Sequence, residues 1–234
     1  MRVDLFLDGQ IGEWILNNVD ARNVGHVITT DTRLEQYARQ KDFRVILGSP
    51  RSLTFQNQPI GFSGHYHRVF PPDFLSRYSR MYNLHPGFLP WGRGYYPIFW
   101  ALWEETPAGA TLHEITAEVD EGPVVAQIQV PYSMADTGET LFERVREAER
   151  QLFLAHWPRI ASAEPLPAVP QTGPGSCHSK AEFLALKENV SLSSLSGTEL
   201  MRLIRALSFS GYSGLEVQLG DRRFDVTMKA LNGR

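Results

Sequence analysis

Short apolar runs alternate with amphipathic stretches through the first third of the chain. Residues 3–7 read as a buried strand, and after Gly9 the apolar positions Ile11, Trp14, Ile15 and Val19 keep the spacing of a helix with one inward face. Residues 24–29 form a second apolar run, 32–41 a second amphipathic stretch, and 44–47, 59–63 and 81–84 complete a set of short strands. Strands of this length, alternating with helices, predict an α/β fold with a doubly wound, mostly parallel sheet. Ligand sites of such sheets lie outside the carboxyl ends of the strands, and residues 83 and 85 fall at one such end.

The second half changes rhythm. Residues 111–115 and 124–130 read as strands flanking a loop at Asp120. Asp136 and Glu139 have the spacing of a capping box, opening a long helix with Leu141, Val145, Ala148, Leu152 and Ala155 inward. Four prolines in residues 164–175 mark a linker. Beyond it, Ser196 and Glu199 cap a helix with Leu200, Leu203, Ile204 and Leu207 inward. Leu215, Val217 and Leu219 then alternate with polar residues, Gly220-Asp221 turns, and Phe224, Val226 and Met228 alternate again, which predicts a β-hairpin. The expected organisation is a catalytic domain at 1–163, a linker at 164–175 and a small helix-plus-hairpin appendage at 176–234.

The chain has 234 residues, 42% of them hydrophobic, enough for one full core and an appendage. A net charge of −3 gives no broad cationic surface, which argues against a nucleic-acid partner. The one cysteine, Cys177, excludes an intrachain disulfide framework and suits a reducing compartment. Acid within residues 1–5 and the lack of any apolar run of membrane-spanning length point to a cytoplasmic protein without a membrane partner. Asp8-Gly9-Gln10-Ile11-Gly12 is a poor match to a dinucleotide fingerprint, so no such cofactor is expected.

The chemistry concentrates in two stretches. Asn83-Leu84-His85-Pro86-Gly87-Phe88-Leu89-Pro90-Trp91-Gly92-Arg93-Gly94 offers an amide donor and an imidazole two residues apart. His113-Glu114-Ile115-Thr116-Ala117-Glu118-Val119-Asp120-Glu121-Gly122 offers a carboxylate beyond a second apolar segment. A donor for an oxyanion, a base, and a carboxylate that orients the base are the parts needed to move an acyl group onto a nucleophile. Neither stretch holds a Ser or Cys nucleophile, so the substrate is expected to bring its own. The pair His65 and His67, with His113, is the one zinc-like arrangement, but neither a further Cys nor an H-E-x-x-H supports it, and no metal is expected.

Asn83, His85, Pro86, Leu89, Pro90, Arg93 and Gly94, followed by Gly109, Thr111, His113, Asp120 and Gly122, together resemble the signature of the 10-formyltetrahydrofolate-dependent formyltransferases. Residues 83–88 and 93–97 are most similar to the sugar N-formyltransferases of that family. The resemblance implies a Rossmann-like formyltransferase fold, 10-formyltetrahydrofolate as co-substrate, and a nucleotide-linked amino sugar as acceptor. A dTDP-linked amino-dideoxy sugar, dTDP-4-amino-4,6-dideoxyglucose, is the specific expectation. It also implies Asn83, His85 and Asp120 as the catalytic trio. Phe62, Ser63, Gly64, His65, Tyr66, Leu89, Ile115, Thr116, Ala117, Glu118 and Asp120 are placed beside the folate. His85, Pro86, Gly87, Arg93, Gly94, Tyr95, Phe209 and Tyr212 are placed on the acceptor side, with Phe209 or Tyr212 stacking the base or, alternatively, closing a helix end on the hairpin. A homodimer is implied as well.

Rival readings follow from the same residues. A methionyl-tRNA formyltransferase would carry a larger, basic C-terminal domain. A glycinamide ribonucleotide formyltransferase would leave the tail without a role. A non-catalytic folate or nucleotide binder has no need of the trio, and a hydrolase of 10-formyltetrahydrofolate would release formate without an amine acceptor.

Overall fold

The computed structural model describes residues 2–49 and 58–229. Its main sheet has seven strands: β1 (Val3–Leu7), β2 (Val24–Thr29), β3 (Val45–Leu47), β4 (Gln58–Gly64), β5 (Tyr78–His85), β7 (Gly109–Glu114) and β8 (Val124–Gln129). Their order is β3-β2-β1-β4-β5-β7-β8. Pairing is parallel from β3 to β5, and β7 runs antiparallel to β5. The expected doubly wound, mostly parallel sheet is therefore present.

Every residue of β1 is buried, the signature of a strand covered on both faces. Alternation divides the covering. On one face Gly64 lies against Leu7 and Ile15 of α1 (Gly9–Asn17), and Phe62 meets Phe153 and Trp157 of α5 (Gly138–Ala161) with ring centroids 5.3 and 6.2 Å apart. On the other, Phe6 is ringed edge-on by Tyr66, Phe70, Phe74 and Tyr78 at 4.9–6.0 Å. Phe74 comes from the one-turn α3 (Pro72–Leu75). Asp4 is buried on the Phe6 face, where its carboxylate accepts hydrogen bonds from Tyr78 Oη (3.0 Å) and His26 N (2.9 Å). Burial pushes the Asp4 carboxyl above its ordinary range, with those hydrogen bonds pulling against it, and burial beside Asp4 pushes the Tyr78 hydroxyl up too.

The chain forms two compact units. The first comprises Met1–His85, Ala110–Ile128 and Glu149–Gln171, and holds the sheet. The second comprises Pro86–Gly109, Gln129–Ala148 and Thr172–Arg234. In the second unit α4 (Pro97–Glu104) packs on α7 (Gly197–Leu207), helped by Arg202, which pairs with Glu105 at 2.6 Å. The expected hairpin is β10 (Leu215–Leu219) with β11 (Arg222–Val226), turning at Gly220 with φ +64°. Two further elements, β6 (Arg93–Gly94) and β9 (Cys177–His178), pair in parallel, and α6 (Lys180–Asn189) opens on a capping box of Ser179 and Glu182. The α2 helix spans Thr32–Gln40.

Local expectations need correction in four places. Thr137, not Asp136, caps α5: its hydroxyl accepts from Thr140 N at 3.3 Å, and Thr140 Oγ1 accepts from Thr137 N at 3.0 Å. The Asp136 carboxylate instead closes the preceding turn by accepting from Ser133 N at 2.7 Å. Ala155 is exposed, because the buried stripe of α5 passes from Leu152 and Phe153 to Trp157 and Ile160. Val19 lies beyond the end of α1, and Met228 beyond β11.

Candidate active site

Asn83 and His85 sit at the carboxyl end of β5, on the same side of the strand, with Asn83 half-buried and His85 buried. Register aligns Ser63 of β4, Asn83 of β5 and His113 of β7 in one row across three strands, and pairs His85 with Thr111 in the next. This row faces a loop, residues 115–123, that leaves β7 and returns to β8. The loop is pinched at its base, where Glu114 N donates to Pro123 O at 2.9 Å. Gly122 makes the pinch possible: a Cβ there would lie 1.7 Å from Glu114 O. At the loop's far end Asp120 holds a left-handed backbone, φ +54°, which Asp tolerates better than most residues.

That geometry returns the Asp120 carboxylate to the strand row. Asp120 Oδ2 lies 3.6 Å from His85 Nδ1, and Oδ1 lies 3.4 Å from both His113 Nε2 and Asn83 Nδ2. The His85 contact exceeds hydrogen-bond length. His113 Nδ1 donates to Glu114 O at 2.8 Å, and its Nε2 lies 3.2 Å from Asn83 Nδ2. His113 and Asp120 thus both contact the Asn83 amide nitrogen. The Asp120 loop has a fastener that local pattern did not reveal. Gln171 Nε2, inside the proline-rich tract, donates to Asp120 O (2.7 Å) and Gly122 O (2.9 Å). Val169 of the same tract bridges to Val124.

Residues 62–156 match the family model described as formyl transferase. A Mycobacterium tuberculosis protein described as dTDP-4-amino-4,6-dideoxyglucose formyltransferase is 30% identical over 125 residues, which are 53% of each chain; the present chain thus spans about half the length of the curated relatives it matches. A sugar N-formyltransferase from Shewanella sp. FDAARGOS_354 superposes with a TM-score of 0.83 over 100% of this chain and 99% of its own, at 21% identity, a likeness of fold. The formyltransferase PseJ from Anoxybacillus kamchatkensis, solved with UDP-4,6-dideoxy-4-formamido-L-AltNAc and tetrahydrofolate, is 28% identical, with a TM-score of 0.56 over 69% of this chain and 89% of its own.

The remaining expected residues fall in several places. Phe62, Ser63 and Gly64 end β4 and are buried, His65 and Tyr66 follow half-buried, and Ile115 opens the Asp120 loop, which exposes Thr116, Ala117 and Glu118. Leu89 is buried in the second unit. Arg93 and Gly94 form β6, where the chain at residues 176–178 runs alongside: Arg93 N donates to Ser176 O, and Tyr95 N to His178 O. Gly94 is required there, since at φ +83° a Cβ would lie 2.3 Å from His178 O. His178 stacks on Trp100 at 3.7 Å and pairs with Glu104 at 2.9 Å, an anchor the sequence reading did not include. Phe209 packs on Phe142 of α5 at 5.8 Å and leaves a partly exposed ring, whereas Tyr212 is 76% exposed. Among the described residues no group of three or more His, Cys, Asp or Glu side chains is placed to hold a metal ion, and His65 is paired with Glu149. Among them, too, no helix is long and apolar enough to cross a membrane.

Proposed function

We propose that this chain transfers the formyl group of 10-formyltetrahydrofolate to the amine of a dTDP-linked amino-dideoxy sugar, with dTDP-4-amino-4,6-dideoxyglucose as the preferred acceptor. The observation that carries the reading is the convergence of Asn83, His85 and Asp120 at a strand end inside the region that matches the formyl transferase model, with no nucleophile supplied by either motif. The name of the mycobacterial relative favours a dTDP-linked 4-amino sugar, and the ligands of the PseJ structure favour a folate donor.

In this mechanism the sugar amine attacks the formyl carbon, and the Asn83 amide donates to the oxyanion of the tetrahedral intermediate. His85 removes the ammonium proton and Asp120 orients its ring. Collapse of the intermediate expels the tetrahydrofolate nitrogen, which takes up the proton held by His85, and the formamido sugar remains. The end of β4 with His65 and Tyr66, Leu89 and the Asp120 loop, residues 115–120, would hold the folate. Pro86, Gly87, the Arg93–Tyr95 turn and Phe209 or Tyr212 would face the acceptor; Tyr212, the more exposed ring, is the better candidate for stacking on the base. No step uses a metal. A cytoplasmic homodimer is the working form.

The test is a panel of dTDP- and UDP-linked 3-amino and 4-amino sugars incubated with 10-formyltetrahydrofolate, with tetrahydrofolate release followed by absorbance. Turnover confined to the dTDP-4-amino sugar supports the full reading, and turnover on another acceptor retains only the chemistry. Formate release without any acceptor would replace it with a hydrolase.

A further inference from the structure

The irregular segment after β4, residues 64–67, is pinned at four points. Gly64 O accepts from Asp8 N (3.3 Å), and His67 N donates to Asp8 Oδ2 (3.1 Å). Tyr66 Oη donates to Gly48 O (2.8 Å), and His65 Nε2 lies 2.7 Å from Glu149 Oε1. The first three anchors come from the ends of other strands of the sheet, Asp8 after β1 and Gly48 after β3. The fourth comes from α5, 84 positions away in sequence, through a carboxylate that is fully buried.

His65 has φ +54°, a backbone that ordinarily selects Gly, Asn or Asp. The side chain explains the histidine: among the described residues Glu149 is the hydrogen-bond partner of its ring. With the carboxylate as acceptor, Nε2 carries the proton. A buried carboxylate is costly to maintain, and loop closure alone is already served by Asp8 and Gly48. What Glu149 adds is a fixed orientation for the backbone at 64–66, one strand away from the catalytic row, since Ser63 is in register with Asn83 and Gly64 with Leu84.

We infer that Glu149 is a positioning residue for the acyl donor: through His65 it sets the loop against which the folate lies. The inference rests on the function proposed above. Glu149→Ala is expected to raise KM for 10-formyltetrahydrofolate about tenfold or more, leaving KM for the amino sugar unchanged and kcat at saturating donor within roughly threefold. Glu149→Gln, which keeps an acceptor oxygen at similar reach, should restore donor KM. His65→Asn keeps the left-handed backbone but is too short to reach Glu149, so it should reproduce the defect, and the double variant His65→Asn/Glu149→Ala should be no worse than either alone. If Glu149→Ala does not fold, His65→Asn paired with Glu149→Gln carries the same comparison.

Titration of the full chain with tetrahydrofolate separates the two levels of the argument. Tenfold weaker binding by Glu149→Ala and His65→Asn, at near wild-type melting temperature, supports the inference. Wild-type binding that the variants share, or a loss spread equally over donor, acceptor and kcat, overturns it while the proposed function stands. A wild-type protein that does not bind tetrahydrofolate removes both.

Discussion

At the scale of single residues, the site divides labour between groups that would touch the reaction and groups that hold them. In the proposed mechanism His85 is the base and Asp120 its orienting partner, so His85→Ala and Asp120→Ala are each expected to lower kcat/KM by roughly 100- to 10,000-fold. Circular dichroism should stay near wild type, because neither side chain belongs to a hydrophobic cluster, while Asp120→Ala should lose a few degrees of melting temperature because Ala is strained at φ +54°. A folded His85→Ala variant with wild-type turnover would remove the mechanism. Asn83→Ala should cost about 100- to 1000-fold, mostly in kcat, since an oxyanion donor acts on the transition state rather than the ground state. A pure rise in KM would assign Asn83 to binding instead. Asp4 offers a different kind of prediction. Its folded-state pKa is raised by burial, so its contribution to stability is fully present below the unfolded value near 3.8 and is lost as pH rises through the folded value. Asp4→Asn should therefore gain melting temperature relative to wild type as pH rises from about 4 towards neutrality. A difference that stays flat or falls with pH would contradict the burial argument.

At the scale of elements, what was legible in the sequence is what local periodicity encodes. The apolar runs of β1, β2 and β4 are covered on both faces and read as strands without ambiguity, and Ser196 with Glu199 marked the start of α7. Both halves of that capping box form: Glu199 N donates to Ser196 Oγ (3.2 Å), and Ser196 N to the Glu199 carboxylate (2.8 Å). The Ser196 hydrogen bonds hold the Glu199 carboxyl below its ordinary value. Ser196→Ala is expected to lower the melting temperature by about 2–4 °C at neutral pH, the usual loss for a helix cap in a chain of this size. Thermal denaturation followed by ellipticity checks it, and an unchanged melting temperature would make α7 indifferent to its cap. Where a local signal had competitors, the reading slipped. Asp136 and Thr137 both suit an N-cap, and the choice depended on Asp136 being drawn to the Ser133 turn. Ala155 kept helical spacing but left the covered side of α5. The site was legible in the same uneven way. Asn83, His85 and Asp120 lie in motifs, whereas Gln171 and Glu149 act on loops 51 and 84 positions away, and only the folded sheet brings them there.

At the scale of the whole molecule, the hairpin poses the remaining question. β10 and β11 form a sheet of only two strands, and such a ribbon is marginal without a covered face. Leu215 is buried beneath it, but Leu219 and Phe224 are 62% and 46% exposed, and Tyr212 just ahead of it is 76% exposed. Exposed apolar side chains gathered on a small ribbon are what a protein–protein contact would use. A homodimer formed through this hairpin is the expected solution state, and it is separable from folding. Truncation is a poor test, because removing α7 would strip Leu203 and Leu207 from the core of their unit. Leu219→Asp with Phe224→Asp changes only exposed positions. Sedimentation at micromolar concentration is expected to give a dimer for the wild type and a monomer for the double variant, with the melting temperature of the monomer lowered and made independent of concentration. A wild-type protein that sediments as a monomer rejects the dimer outright. A double variant that remains dimeric keeps the assembly but moves its interface away from the hairpin.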